Sequence, residues 1–182
     1  AAYAPAGLGA AAVWDVESGT RLATLEDVED WESVAHVRTA RFSADGRHVL
    51  AADHRQVRVW DAATGTEVAR FEEPRWSVYD AALSPDGDKV LAVAGSHTMV
   101  SMLETGATHT LEASDGGVGS RMTFGTFSPD GRLVLTASSS LEVRLWNADT
   151  GEPVARLSGH ESEVEGGAFS SDGKLLVTYG AG

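Results

Sequence analysis

Apolar positions in this chain come in short bursts. Arg132-Leu133-Val134-Leu135-Thr136, Glu142-Val143-Arg144-Leu145-Trp146 and Glu67-Val68-Ala69-Arg70-Phe71 alternate or run apolar, with many β-branched residues. Runs of about five such residues predict strands. No segment sustains the 3.6-residue period of an amphipathic helix. Turn signals separate the bursts. In Pro-Asp-Gly, Pro sets the first corner, Asp bonds its own backbone and Gly accepts a positive φ.

The turns recur. Phe42-Ser43-Ala44-Asp45-Gly46, Leu83-Ser84-Pro85-Asp86-Gly87, Phe127-Ser128-Pro129-Asp130-Gly131 and Phe169-Ser170-Ser171-Asp172-Gly173 place their glycines 41, 44 and 42 residues apart. A second mark keeps step with the first: Val13-Trp14-Asp15, Val59-Trp60-Asp61 and Leu145-Trp146-Asn147, with Met102 taking the tryptophan's place in the remaining unit. Ser18-Gly19, Thr64-Gly65, Thr105-Gly106 and Thr150-Gly151 follow as a third. Four short antiparallel strands at this period predict an all-β fold, a β-propeller of four-stranded blades with about four blade-equivalents in the chain. The expected division is a half blade at 1–26, blades at 27–72, 73–112 and 113–158, and a half blade at 159–182.

These residues resemble the WD-repeat (WD40) family. The resemblance implies a first strand leading into Ser-Pro-Asp-Gly, a third ending in Trp-Asp and a fourth leading towards Gly-His, here Gly159-His160. It also implies a hydrogen-bonded tetrad of His, Ser or Thr, Asp and Trp, which this chain lacks in full. Ser33, Pro74 and Val118 stand at the other His positions, and His54, His97 and Ser140 at the Asp positions. Trp14, Trp60 and Trp146 are expected in the core. With Met102 in place of Trp, the third unit is expected to be the softest.

Ala1–Gly7 and Leu175–Thr178 both fit a second strand, a surplus for a clean four-blade ring. A window from a longer array is the simplest reading. A four-blade closure with a spare stub, or a homodimer completing one ring, are the alternatives.

Composition narrows the partners. The chain has 182 residues, 42% hydrophobic and 23% charged, with a net charge of −13. That excess of carboxylates argues against nucleic acid and against an anionic membrane surface, and leaves a basic protein partner open. The absence of cysteine rules out disulfides, thiolate metal sites and cysteine nucleophiles in these residues, and favours a reducing, cytoplasmic setting. The Ala-, Gly-, Asp- and Arg-rich wording looks bacterial.

No phosphate-loop, nucleophile-elbow or zinc-protease motif occurs, so no catalytic, cofactor or metal residues are assigned. Gly117-Val118-Gly119 reads as a connection. His54 and His97, with Asp53 beside them, read as polar turn residues at one repeat position. Asp15, Asp61, Asn147, Asp45, Asp86, Asp130, Asp172 and His160 are structural marks. The connections between units are where partner chemistry is expected. Glu26, Asp27, Glu29 and Asp30 surround Trp31; Arg75 precedes Trp76; Glu161 and Glu163 follow His160, with Glu165 adding charge. A Trp in a charged loop is a candidate hot spot. The expected function is a non-catalytic protein-interaction scaffold or sensor within a larger, bacterial signalling protein. The alternatives are a ligand- or substrate-gating propeller beside a hydrolase or in a periplasmic assembly factor, and a self-assembling propeller.

Overall fold

The computed structural model describes residues 12–24, 39–53, 55–72, 77–112 and 121–180. Among these every regular element is a strand. β1 (Ala12–Trp14) and β2 (Arg21–Thr24) form a two-stranded sheet. Three four-stranded antiparallel sheets follow in simple meander order. They are β3 (Thr39–Phe42), β4 (His48–Ala52), β5 (Gln56–Asp61) and β6 (Glu67–Glu72); β7 (Val78–Leu83), β8 (Lys89–Ala94), β9 (His97–Met102) and β10 (Thr108–Glu112); and β11 (Met122–Phe127), β12 (Leu133–Ser138), β13 (Val143–Asn147) and β14 (Pro153–Leu157). β15 (Val164–Phe169) and β16 (Leu176–Gly180) make the last pair. The first strands stand side by side: β7 lies against β3 and β11, and β11 against β15. This is the blade arrangement of a propeller segment.

The four Ser-x-Asp-Gly turns are copies of one another. The Ser hydroxyl donates to the Asp carboxylate at 2.6 Å in Ser43–Asp45 and Ser128–Asp130, and at 2.7 Å in Ser170–Asp172. The same oxygen accepts the amide of the residue five on, from His48, Lys89, Leu133 and Leu175. The serine is therefore the hub, and Ala44 and Ser171 serve where Pro85 and Pro129 stand in the other two turns. Gly87 shows why the last residue is glycine. Its φ is +76°, and a Cβ there would sit 2.8 Å from His48 Nδ1 of the preceding blade.

Blades pack face to face. Leu50, Ala52, Val57 and Val59 meet Val78, Ala81, Val90 and Ala92 between the first two full blades. Leu91, Val100 and Leu111 meet Val134 and Trp146 between the next two. Trp60 meets Val13 and Ala23 of the first pair.

The strand ladders correct two sequence assignments. Val49 pairs with Trp60 and Val134 with Trp146, and the equivalent Val90 pairs with Ser101. Ser101, not Met102, holds the tryptophan's place; Met102 matches Asp61 and Asn147. Spacing alone misled, because the second-to-third strand hairpins differ in length. The ladders also make Thr98 the counterpart of Val57, so His97 matches Gln56 and not His54. Ladders of the last two strands slip by one residue beside Trp14, Trp60 and Trp146, but not beside Ser101.

The third correction is Trp14. Trp60 and Trp146 are 1% and 5% exposed, but Trp14 is 58% exposed. It occupies the face on which Trp60 and Trp146 meet a preceding sheet, and no described element lies in front of it.

Candidate functional site

Three of the four described first strands carry an irregularity at the same place, and β3 pairs without one. The β7–β8 ladder steps from Val78 to Asp80, β11–β12 from Met122 to Phe124, and β15–β16 from Val164 to Gly166. The skipped residues are Tyr79, Thr123 and Glu165. A bulge leaves one residue out of the ladder and re-aims its side chain. All three line one cleft of about 360 Å³ together with Arg121, Met122, Glu163 and Val164.

Backbone contacts fix this cleft. Arg121 N donates to Ser139 Oγ at 3.0 Å, and Ser139 N to Arg121 O at 2.8 Å. Met122 N reaches Gly95 O of the neighbouring blade at 2.8 Å. Thr123 Oγ1 donates to Val164 O at 2.8 Å. From this anchored backbone the Arg121 guanidinium lies over the Tyr79 ring, 5.2 Å from its centroid, and pairs with Glu163 at 3.7 Å. Such an exposed ion pair contributes about 0–1 kcal/mol and the ring contact about 0.5–1 kcal/mol. Beside it, Arg41 Nη2 holds Asp80 Oδ1 at 3.0 Å, tying β3 to β7. Burial raises the Asp80 pKa above its ordinary value, opposed by Arg41 and the Ala81 amide.

The sequence-predicted residues are divided by this geometry. Glu163 is in the cleft, and Glu161 is exposed nearby in sequence. Glu26, Asp27, Glu29, Asp30, Trp31, Arg75 and Trp76 lie outside the described residues, as do His54, Ser33, Pro74 and the Gly117–Gly119 segment. Asp53 is engaged in its turn, accepting the Arg55 and Gln56 amides at 2.6 and 2.8 Å. Among the described residues no three His, Asp or Glu side chains converge as a metal site. The tetrad survives as fragments: Trp146 Nε1 donates to Thr136 Oγ1 at 2.8 Å, and His160 Nε2 meets Thr178 Oγ1 at 2.7 Å.

Tyr79, Arg121 and Thr123 escape a search for motifs. For Tyr79 and Thr123 the signal is variation: four residues before Leu83, Phe127 and Phe169 the repeat changes from Tyr to Thr to Glu, while the residue just before it stays apolar as Val78, Met122 and Val164.

A model described as WD domain, G-beta repeat matches residues 19–61, 107–147 and 151–181. Apoptotic protease-activating factor 1 of Mus musculus is 31% identical over 135 residues, 67% of this chain and 11% of that protein. Its Homo sapiens counterpart is 29% identical over 165 residues, 85% of this chain and 12% of that protein. WD repeat and SOCS box-containing protein 1 of Danio rerio is 46% identical over 59 residues, 31% of this chain and 14% of that protein. The chain thus spans about a tenth of the length of the first of these relatives.

Proposed function

The chain belongs to the WD-repeat (WD40) family of protein-interaction scaffolds, and from that membership we propose that it binds a basic protein segment at the end of the blades where the first strands begin. One observation carries the reading. Scaffold positions repeat from blade to blade, whereas the bulged positions Tyr79, Thr123 and Glu165 carry a different chemistry in each. A surface that only stabilised the fold would repeat with the fold.

Charge supports the choice of partner. Glu163 and Glu165 line the cleft, exposed Glu161 precedes them in the chain, and Glu26, Asp27, Glu29 and Asp30 fall in the stretch of sequence before β3. Complementary charge speeds encounter and makes it sensitive to salt. The reading is non-catalytic, in keeping with a family whose members generally serve as interaction modules. We place the segment within a larger signalling protein, bacterial by composition and cytoplasmic by its cysteine-free wording.

The test uses an array of Arg/Lys-rich and Asp/Glu-rich twelve-residue peptides. Basic peptides should be retained, with retention falling between 50 and about 200 mM salt. Replacing Glu161, Glu163 and Glu165 together with Ser should weaken them, and replacing Glu26, Asp27, Glu29 and Asp30 should do so separately. Equal retention of acidic peptides, or retention indifferent to both sets, would overturn the reading.

A further inference from the structure

We infer that Arg121 is a built-in placeholder, occupying a site that takes an arginine side chain from the partner. The inference rests on the basic-partner reading above and names the group recognised. Tyr79 offers an aromatic face, Glu163 a carboxylate and Glu165 a second one in the same cleft. That combination suits a planar cation, which gains from the ring quadrupole and from paired oxygens. In this chain the cation is supplied internally: the Arg121 guanidinium lies on Tyr79 and pairs with Glu163.

The hold on that guanidinium is weak. Both partners of the Arg121–Glu163 pair are about half exposed, and its separation of 3.7 Å lies beyond hydrogen-bond distance. The Arg121 backbone, in contrast, is fastened to Ser139. The side chain can therefore swing off Tyr79 without disturbing β11. An incoming guanidinium would take its place and pair with Glu163 and Glu165. A second use follows: while no partner is bound, Arg121 lies over one face of the Tyr79 ring and partly offsets one carboxylate. It thereby selects against weak apolar contacts.

The experiment measures binding of a fluorescein-labelled Ala-Gly-Arg-Gly-Ala peptide by anisotropy, with Ala-Gly-Glu-Gly-Ala as control. Arg121→Ala should bind the arginine peptide about two- to fivefold tighter than the unaltered chain, the scale of one exposed cation–ring contact released from competition. The gain should vanish in Arg121→Ala combined with Tyr79→Ala, and fall in combination with Glu163→Gln. Melting temperatures of the variants should stay close to that of the unaltered chain. Weaker or unchanged binding in Arg121→Ala overturns the inference, as does a large fall in melting temperature, which would make Arg121 a structural tie. If the unaltered chain binds basic peptides and Arg121→Ala weakens them, the placeholder fails and the platform stands. If no variant binds any basic peptide, both fail.

Discussion

At the scale of single residues, Thr98 departs from the repeat at a buried position. Its ladder partner is Val93, which makes it the counterpart of Val57 and Val143. It is fully buried, and its hydroxyl has no hydrogen-bond partner among the described residues. An unsatisfied buried hydroxyl costs about 1–3 kcal/mol, and valine has nearly the same shape. Thr98→Val should therefore stabilise the chain by about 1 kcal/mol, read as a higher denaturation midpoint with an unchanged slope. A lower midpoint would mean that the hydroxyl has a partner in the folded protein. Leu141 is the opposite kind of residue. Its φ is +64°, where glycine or asparagine usually stands. It closes the longer hairpin of Ser139-Ser140-Leu141, and nothing in its side chain announces that turn. The glycine-marked turns were legible because their chemistry is explicit; this one was not, and hairpin length is what displaced the tryptophan alignment onto Met102.

At the scale of elements, the Ser-x-Asp-Gly turn is the unit that the sequence shows most clearly, and its acid dependence follows from its bonds. The Ser43 hydroxyl, with help from the Arg47 amide and guanidinium, pulls the Asp45 pKa down to about 2. Asp130 and Asp172 are lowered in the same way by Ser128 and Ser170, and Asp61 by the Thr64 amide and hydroxyl. At Asp86 burial pulls upward, yet Ser84, the Asp88 amide and Lys89 leave it lowered. In the unfolded chain an aspartate titrates near about 3.9. The folded state thus binds fewer protons between that value and about 2, so these turns add stability above pH ~4 and lose it as the pH falls towards 2. Asp80 runs the other way: its raised pKa favours the protonated fold, and its stabilising share declines as the pH rises through the ordinary range. With several turns against one Asp80, the melting temperature should fall from pH 4 to pH 2. Asp45→Asn, Asp130→Asn and Asp172→Asn combined should flatten that fall. An equally steep fall in the triple variant would place the acid sensitivity elsewhere.

At the scale of the whole molecule, the period predicts sheets and their order, but not what lies on either side of each. The repeat marks could not reveal that Trp14 faces no described element, nor that the bulged residues of three first strands converge on one cleft, since convergence is a property of neighbouring blades. The same limit bears on which part of the molecule is softest. Judged by residue type, the sheet β7–β10 is the weak one, having Ser101 where its neighbours have tryptophan. Judged by position, it is the best protected. Val90, Ala92 and Ala94 of β8 pack towards the preceding blade, and Leu91 towards Trp146 of the next. In β16, by contrast, Val177 and Tyr179 are exposed, and among the described residues β15 is the single strand paired with it. Amide protection reflects the free energy of local opening, which grows with apolar surface buried on both faces. In the 182-residue chain, hydrogen exchange should therefore be slowest in β8 and β12 and fastest in β2 and β16. Burial on two faces then outweighs one missing tryptophan. If β7–β10 exchanged first, the packing that an indole supplies in the neighbouring blades would be worth more than a whole covered face, and the order of stability would follow residue type instead of place in the array.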